Sequence, residues 1–575
     1  MRTFTGIKAS SGLAKGEVYL KKKDKIEVDY TKIDAVRVEL EIERLEKTRQ
    51  QVKRQLEEIK EKTACKVGVE EAAIFQAHLL LLDDPELIPA VKEKIRKDKF
   101  CAEFAVSKVI EGYQEIFRAM EDEYIKARMA DLEDVKNRIL RALSGTAETC
   151  GMLTKPVVLV AEDLSPSETA MLDLQYVKGM VTEKGSHVSH TAILARSLGI
   201  PAVVGAGEGL LAGLKEGEIV IVDGDNGKVI FAPGETVLQE YEQKIKQEEK
   251  WRTGLSRYRE LETRTKDGKR VKVAGNAGGV KDVDRIIEQG GEGIGLYRTE
   301  FIFLDRRDPP SEEEQFEIYR EALEKIYPRE VVIRTLDIGG DKSVKCVDLP
   351  LEENPFLGYR GIRNYLDSSE IYRPQLRALI RASVYGNLKI MFPMISTLEE
   401  IRRIKAAVKE VTEMLREEEI AFTPHLELGI MIEVPSAALM AREMADEVDF
   451  FSIGSNDLIQ YTMAADRINP KVSCLHSPYH PSVLRIIKMA VDAAHERRIW
   501  AGFCGEAASD LLLVPFLLGI GLDEFSVSAG AILPLKEAIA GWDSQRASEL
   551  AKNILEMSTG EQVKEYLLKV AVIKR

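Results

Sequence analysis

Eight short apolar runs alternate with helical patterns along the C-terminal half of the chain, and this alternation restricts the fold more than any other feature. The runs are, in order, VKVAGNAG, GIGLYRTE, VVIRTLDIGG, LKIMFPMIS, LGIMIEVP, DFFSIGSND, IWAGFCGE and EFSVSA. Some helical segments begin with capping-box patterns, such as Ser311 with Glu314 and Ser396 with Glu399. Eight successive β–α units predict a closed (β/α)8 TIM barrel, which we place at residues 263–575.

The carboxyl ends of the strands carry the chemistry in barrels of this kind. The polar residues at or just after the predicted strand ends are Asn276, Arg298, Arg334, Glu433, Asn456, Asp457 and Cys504. Random strand ends would rarely combine two arginines, two acids and a thiol. The barrel mouth is therefore the predicted active site.

Two acids at this mouth have the character of a metal site. Glu433 follows the fifth strand and Asp457 follows the sixth, and adjacent strands bring their ends within the span of one ion. Two carboxylates without neighbouring Cys or His ligands suit a hard cation, Mg²⁺ or Mn²⁺. A purely structural role for the pair is equally compatible with the pattern.

The cations at the mouth predict an anionic ligand. Arg298 and Arg334 end the second and third strands, Lys342 follows in DIGGDKS, and Arg467 lies after the sixth strand. Guanidinium forks match phosphate and carboxylate oxygens, so we expect a small ligand that carries both groups. Cys504 is, by default, a buried inert thiol, but its place in a cationic mouth favours proton transfer.

The N-terminal half predicts two interleaved parts. FTGIKAS and AKGEVYL look like two strands, and after them Val38, Leu45, Val52 and Ile59 repeat at seven on one helix face. Strand patterns return from Pro156 onward. We therefore expect an α/β domain made of residues 1–20 and 150–232, a helical subdomain inserted at 21–149, and a charged linker helix at 233–262.

The segment GSHVSHTAILARSLGIPAVVG, residues 185–205, places His190 at the start of a predicted helix. A helix N-terminus offers free N–H groups to an anion, so His190 there suits a phosphoryl acceptor. Zinc bound by His187 and His190, or a packed core histidine at His190, are the open alternatives. His78 reads as a histidine packed on a helix face.

Composition excludes several classes of protein. The net charge of −13 argues against a nucleic-acid surface and favours a basic protein partner. No apolar run is long enough for a membrane span, and the N-terminus lacks a signal-peptide pattern. The six cysteines lack CxxC spacing, which indicates reduced thiols and a cytoplasmic location. GEGIG at 291–295 and GGDKS at 339–343 lack the context of nucleotide-binding loops, so we predict no such site.

Together these segments closely resemble Enzyme I of the bacterial phosphoenolpyruvate-dependent sugar phosphotransferase system. The resemblance covers essentially the whole chain. It is carried by SHTAILARSLGIPAVVG, LYRTEFIFLDR, RTLDIGGDK, ENPFLGYRGIR, IMIEVPSA, FFSIGSNDLIQYTMAADR and GFCGEAA. These are long, specific matches.

The resemblance implies an activity and partners. His190 would take the phosphoryl group of phosphoenolpyruvate and pass it to a histidine of the phosphocarrier protein HPr, which would dock on the helical subdomain. Thr169, in LSPSETAML, would hydrogen-bond the active histidine. Cys504 would protonate the enolate carbon and yield pyruvate. Family members are homodimers through the barrel domain.

The resemblance also implies the residues that hold the substrate and its metal ion. Arg298, Arg334 and Lys342 would hold the phosphate, and Asn456 and Arg467 the carboxylate. Glu433 and Asp457 would bind Mg²⁺, which also touches the substrate, so Asp457 belongs to both sets. Because His190 and the barrel lie in different domains, we expect a rigid-body swing about the 233–262 linker.

Two other functions remain as alternatives. A pyruvate phosphate dikinase or phosphoenolpyruvate synthase shares the phosphohistidine domain and the barrel, but it carries an ATP-grasp domain where this chain has the helical subdomain. A phosphoenolpyruvate sensor without catalysis would need no proton donor, so Cys504 argues against it.

Overall fold

The computed structural model contains two compact units, Met1–Glu249 and Lys250–Arg575. It describes residues 1–575 except 22–27, 67–68, 85, 119–122, 146–152, 154, 165–167, 170–172, 187–188, 305, 307, 341–343, 345, 348, 351, 468, 470 and 571–575. Lys342, and His187 of the zinc alternative, therefore lie outside the described residues. The predicted domain boundaries are finer than the division into two units and stay predictions.

An eight-stranded mixed sheet forms the centre of the first unit. Its strands are β1 Arg2–Thr5, β2 Ile7–Ser10, β3 Leu13–Lys21, β4 Val157–Ala161, β5 Val177–Thr182, β6 Ala202–Val204, β7 Ile219–Asp223 and β8 Lys228–Phe231. They lie in the order β1-β8-β7-β3-β4-β5-β6-β2. The first 21 residues hold three strands where two were predicted. The predicted strand FTGIKAS is interrupted at Gly6, whose N–H donates to the Gly227 carbonyl.

Helices fill the insertion between β3 and β4. They are α1 Val38–Lys66, α2 Val69–Leu82, α3 Leu87–Asp98, α4 Ala102–Arg118 and α5 Glu123–Ser144. The heptad face of α1 is the face that packs, since Val38, Leu45 and Val52 are buried in the core of this helical block. The predicted fold, an α/β domain with an inserted helical part, is confirmed.

Two further helices complete this half of the chain. The helix α6, His190–Leu198, ends at Gly199, whose φ of 65° gives the left-handed C-cap that glycine allows most easily. The helix α7, Glu235–Leu255, crosses the division between the two units and lies within the predicted linker.

The second unit is a closed barrel of eight parallel strands. They are β9 Lys272–Ala277, β10 Gly293–Arg298, β11 Glu330–Arg334, β12 Asn387–Phe392, β13 Glu427–Ile432, β14 Phe450–Ile453, β15 Trp500–Phe503 and β16 Glu524–Val527. Pairing of β16 with β9 closes the barrel. Each strand coincides with one of the eight apolar runs, so the predicted barrel is confirmed.

Helices follow the strands around the barrel. They are α8 Val280–Glu288, α9 Glu300–Phe303, α10 Glu312–Ile326, α11 Ile362–Tyr365, α12 Ser369–Ala382, α13 Leu398–Glu417, α14 Pro435–Leu439, α15 Ala441–Met444, α16 Ser455–Met463, α17 Pro481–Glu496, α18 Val514–Gly519, α19 Ile532–Ala540, α20 Ser544–Leu555 and α21 Gly560–Val570. Among the helices described in either unit, none is long and apolar enough to cross a membrane.

The two predicted capping boxes have different outcomes. Ser311 and Glu314 form the box at the start of α10. The second prediction was wrong by one residue, since α13 is capped by Thr397 with Glu400. The backbone N–H of Ser396 instead donates to the Glu400 carboxylate at 2.6 Å, which leaves Thr397 as the last extended residue before the helix.

Candidate active site

His190 is the first residue of α6, as predicted, and its ring is partly buried. The Thr169 hydroxyl lies 2.9 Å from His190 Nε2, the pairing that the family resemblance implies. The hydroxyl can donate to an unprotonated Nε2 or accept from a protonated one, so the contact fits either neutral tautomer. Either neutral tautomer has one unprotonated ring nitrogen, which is the kind of nitrogen that can attack phosphorus.

The surroundings of His190 keep its ring neutral. Burial lowers the pKa of His190 to about 4, although the nearby carboxylates of Asp134 and Asp131 oppose this shift. The neutral form therefore dominates across neutral pH. His78 also acts on His190 through its charge and lowers the same pKa.

His78 belongs to a buried polar cluster of the helical block. Its Nε2 lies 3.3 Å from Asp131 Oδ1, and its Nδ1 lies 3.7 Å from Asp134 Oδ2. The ring also packs edge-on against Phe75, as expected for a histidine on a helix face. The two aspartates, which the sequence pattern did not single out, lie one turn apart on α5 and meet His78 of α2.

The two predicted metal ligands lie in one buried acidic region of the barrel mouth. Glu433 is 1% exposed, and its Oε1 accepts the backbone N–H of Met394 at 2.6 Å. Burial raises the pKa of Glu433 to about 8, and the charges of Asp457 and Asp337 add to the increase.

Arg360 links the second metal candidate to a further acid. It donates from Nη1 to Asp457 Oδ1 at 3.2 Å and from Nη2 to Oδ2 at 3.1 Å. Its Nε also donates to Asp337 Oδ1 at 3.2 Å. The side chain of Arg360 is completely buried, so these two carboxylates hold it in place.

The donor set around Glu433 fits a hard divalent cation. No basic side chain in the described ranges forms an ion pair with Glu433. Burial and the two neighbouring acids raise its pKa more than the charges of Arg334 and Arg360 lower it, so a bound cation would stabilise the carboxylate. Carboxylate oxygens from Glu433 and Asp457 are the ligands that Mg²⁺ prefers. Three or more His, Cys, Asp or Glu side chains do not cluster into a metal site anywhere among the described residues, so further ligands would come from water or substrate.

The mouth arginines have different environments. Arg298, at the end of β10, is partly exposed, and within the described part of the chain no group pairs with its guanidinium. Arg334, at the end of β11, is buried and pairs with Glu300 at 2.6 Å and with Asp337 at 3.3 Å. Arg467 approaches Asp457 at 3.9 Å. Of these three described arginines, Arg298 is the most available to a ligand.

Cys504 is buried just after β15, where its Sγ lies 3.7 Å from the carbonyl oxygen of Ile453. Burial raises the pKa of this thiol to about 11, against the opposing charges of Arg334 and Arg298. The thiol is therefore protonated at neutral pH. It can act as an acid, and it is a poor nucleophile in this state.

The mouth also contains residues that the sequence argument missed. Arg360, Asp337 and Glu300 form its buried ion-pair network with Arg334 and Asp457. None of the three is the last residue of a strand. The sequence analysis selected polar residues at strand ends, so it did not select these three. The segment ENPFLGYRGIR, which contains Arg360, was the signal that could have drawn attention to it.

Three family models match the chain in succession. They are described as PEP-utilising enzyme, N-terminal, at residues 5–128, PEP-utilising enzyme, mobile domain, at 153–227, and PEP-utilising enzyme, PEP-binding domain, at 252–544. A phosphoenolpyruvate-protein phosphotransferase of Geobacillus stearothermophilus is 47% identical over 568 residues, which cover 98% of each chain. The chain belongs to the phosphoenolpyruvate-protein phosphotransferase family.

Other relatives in this family show the same coverage. The phosphoenolpyruvate-protein phosphotransferases of Bacillus subtilis and Listeria monocytogenes are each 46% identical to this chain, and each match covers 98% of both sequences. The matched PEP-binding domain contains the whole barrel mouth, and the matched mobile domain contains His190 and Thr169. The family models therefore cover both the residues around His190 and the residues of the barrel mouth.

Proposed function

We propose that this chain transfers the phosphoryl group of phosphoenolpyruvate to His190 and then to a histidine of HPr, releasing pyruvate. The observation that carries the proposal is Cys504, a buried and protonated thiol beside the cations of the mouth. A proton donor is what the enolate of pyruvate needs once the phosphoryl group has left. The neutral ring of His190 supplies the acceptor.

The first step is attack by the His190 ring on phosphorus. The P–O bond to the enol oxygen breaks as the P–N bond forms, and the transition state spreads charge over the phosphoryl oxygens. Arg298 is a better candidate for binding phosphate than Arg334, because no described group neutralises its charge. Arg334 would act from a fixed position, since Glu300 and Asp337 hold its guanidinium. We keep Lys342 as a third proposed phosphate contact.

The carboxylate end of the substrate is assigned to Asn456 and Arg467. The Asn456 side-chain oxygen accepts the N–H of Glu506 at 3.2 Å, so its amide NH₂ is the part left to donate to a carboxylate. Arg467 lies beside Asp457 and would add a charged donor. These contacts would fix which end of the substrate enters the mouth.

We propose Mg²⁺ as the ion held by Glu433 and Asp457, with Mn²⁺ as a substitute. When bound, the ion would neutralise charge on the phosphate and enolate oxygens. The residues themselves contribute two oxygen ligands, and Arg360 orients the Asp457 carboxylate. We also propose, from the family, that HPr docks on the helical block and that two copies associate through the barrel.

The acceptor and the mouth lie in separate compact units, so transfer requires His190 to visit the mouth. The predicted swing about the 233–262 linker is our proposal for this step. Cross-linking the units in a pose that keeps His190 away from the mouth should abolish phosphorylation by phosphoenolpyruvate. Retained phosphorylation would refute the proposed swing but would not contradict the proposed phosphoryl transfer to His190.

The deciding experiment is incubation with ³²P-labelled phosphoenolpyruvate and Mg²⁺. The wild type should acquire acid-labile label and release pyruvate when HPr is added, whereas His190→Ala should not be labelled. Label that persists on His190→Ala would refute the proposal. Labelling of His190 by ATP without phosphoenolpyruvate would favour a dikinase, and binding without pyruvate release would favour a sensor.

A further inference from the structure

We propose that Asn276, held by Ser526, is a positioning residue that fixes the proton donor Cys504 against one face of the enolate. This inference rests on the proposed function and adds two residues to it. Asn276 and Ser526 belong to β9 and β16, the first and last strands of the barrel. Cys504 lies in the loop that follows β15.

Both ends of the Asn276 amide are engaged. Its Nδ2 donates to the backbone carbonyl of Cys504 at 3.2 Å, and its Oδ1 accepts the hydroxyl of Ser526 at 2.7 Å. A carbonyl oxygen can only accept a hydrogen bond, so the group that faces Cys504 must be the NH₂. Ser526 is completely buried, and its hydroxyl therefore locks the amide in this orientation.

The opposite side of the Cys504 loop is anchored to β14 and the residues after it. The N–H of Cys504 donates to the Ile453 carbonyl at 3.0 Å. The N–H of Ala507 donates to the Ser455 hydroxyl at 3.4 Å. Gly505 packs so closely that a Cβ there would meet Ser455 Oγ at 1.9 Å. Asn276 supplies the anchor on the other side, toward the seam of the barrel.

The thiol gains from such anchors because its own hydrogen bonds are weak. Its Sγ lies 3.7 Å from the Ile453 carbonyl oxygen and is also hydrogen-bonded by the Ser452 side chain, and sulfur forms weak hydrogen bonds in either role. The backbone of Cys504 therefore contributes to the position of the S–H group. Replacing the Asn276 donor would free the peptide group between Cys504 and Gly505 to rotate.

The chemistry makes the position of the thiol measurable. The enolate carbon C3 is planar and has two faces. As the S–H bond breaks, a C3–H bond forms, the enolate oxygen becomes the ketone carbonyl, and the electron pair stays on sulfur as a thiolate. Solvent then returns a proton to the thiolate. A fixed donor adds the proton to one face only, whereas a displaced donor lets water add it to either face.

The test uses phosphoenolpyruvate that carries deuterium and tritium at C3, and reads the configuration of the methyl group in the pyruvate formed. The wild type should give one configuration. Asn276→Asp, which replaces the donor by an acceptor, should give a mixture and slow pyruvate formation by about 10- to 100-fold, with the KM for phosphoenolpyruvate nearly unchanged. Ser526→Ala should show the same change to a smaller degree.

Asn387→Ala is the matched control. Asn387 begins β12 at the other end of the barrel and donates to the Pro328 carbonyl, so its loss should change neither rate nor configuration. Asn276→Asp with a single configuration, whether its rate is normal or reduced, would overturn the inference. If the wild type forms no pyruvate, the proposed function fails first, and the two failures are thereby distinguished.

Discussion

Acidification should titrate His190 at a pH of about 4, far below the ordinary histidine range. Burial of the ring is the main cause of its lowered pKa. The fall from 6.5 to about 4 corresponds to about 3 kcal/mol at roughly 1.4 kcal/mol for each pKa unit. Acceptance of the phosphoryl group should therefore persist through pH 5 to 6 and disappear as the pH falls through about 4.

The lowered pKa of His190 also determines whether the free energy of unfolding rises or falls with pH. The pKa of His190 is lower in the folded state, so the unfolded chain binds more protons between pH 6.5 and about 4. The free energy of unfolding of the first unit should fall as the pH is lowered through this window. The contribution of His190 to that fall is at most about 3 kcal/mol.

The assay is NMR of the full chain labelled with ¹⁵N-histidine. The sequence contains seven histidines, and His190→Gln assigns the signal by its disappearance. Asp134→Asn removes a carboxylate that favours the cation, so it should lower the pKa of His190 further. A midpoint at pH 6 or above would refute the burial argument, and a raised pKa in Asp134→Asn would refute the assigned charge effect.

Three other expectations follow from the barrel. Pyruvate formation should keep its proton donor until the pH approaches 11, because burial raises the pKa of Cys504 to about 11, and a pH–rate profile with an alkaline limb near pH 8.5 would contradict this. Mg²⁺ should raise the Tm of the wild type but not that of Glu433→Gln, measured by calorimetry, and equal increases would remove Glu433 from the metal site. Gly275→Ala should destabilise the barrel by about 1–3 kcal/mol in urea unfolding, since its Cβ would meet Ile286 Cδ1 at 2.4 Å. Gly530→Ala, where nothing in the described chain lies within 4 Å of the added Cβ, should not lower the free energy of unfolding, and equal losses in the two variants would refute the packing argument.

The sequence predicted the barrel because each strand is a compact apolar run followed by a polar residue and a helix. The strand-end rule then located Arg298, Arg334 and Glu433 at one mouth. Arg360 was not located in this way because it lies in a loop. Tertiary packing sets the path of a loop, and no periodic pattern in the local sequence predicts it. Arginine side chains are usually exposed, whereas the side chain of Arg360 is completely buried. Its pairing with two carboxylates makes this burial tolerable.

The surroundings of His190 could not be foreseen from the sequence. The sequence left a packed core histidine at this position as an open alternative. The structure partly buries the ring and brings His78, Asp131 and Asp134 close enough to act on it through their charges. Those three residues come from the inserted helical block. No local pattern links an insertion to the domain that carries it, so the depressed pKa could not be read from the sequence.

The pairing of β9 with β16, which is the seam that closes the barrel, has a consequence for synthesis on the ribosome. Val273 pairs with Phe525, so the barrel cannot close until the last strand has emerged, whereas the sheet of the first unit is complete once β8 has emerged. At about 5–20 residues per second, roughly 15–60 s separate the two events. During that interval the growing barrel has unpaired strand edges. Such edges can pair with other chains and aggregate, so we expect chaperones to bind the nascent chain at this stage. The contact of Asn276 with Cys504 spans the same pair of strands, so this anchor of the Cys504 loop forms only when the barrel closes.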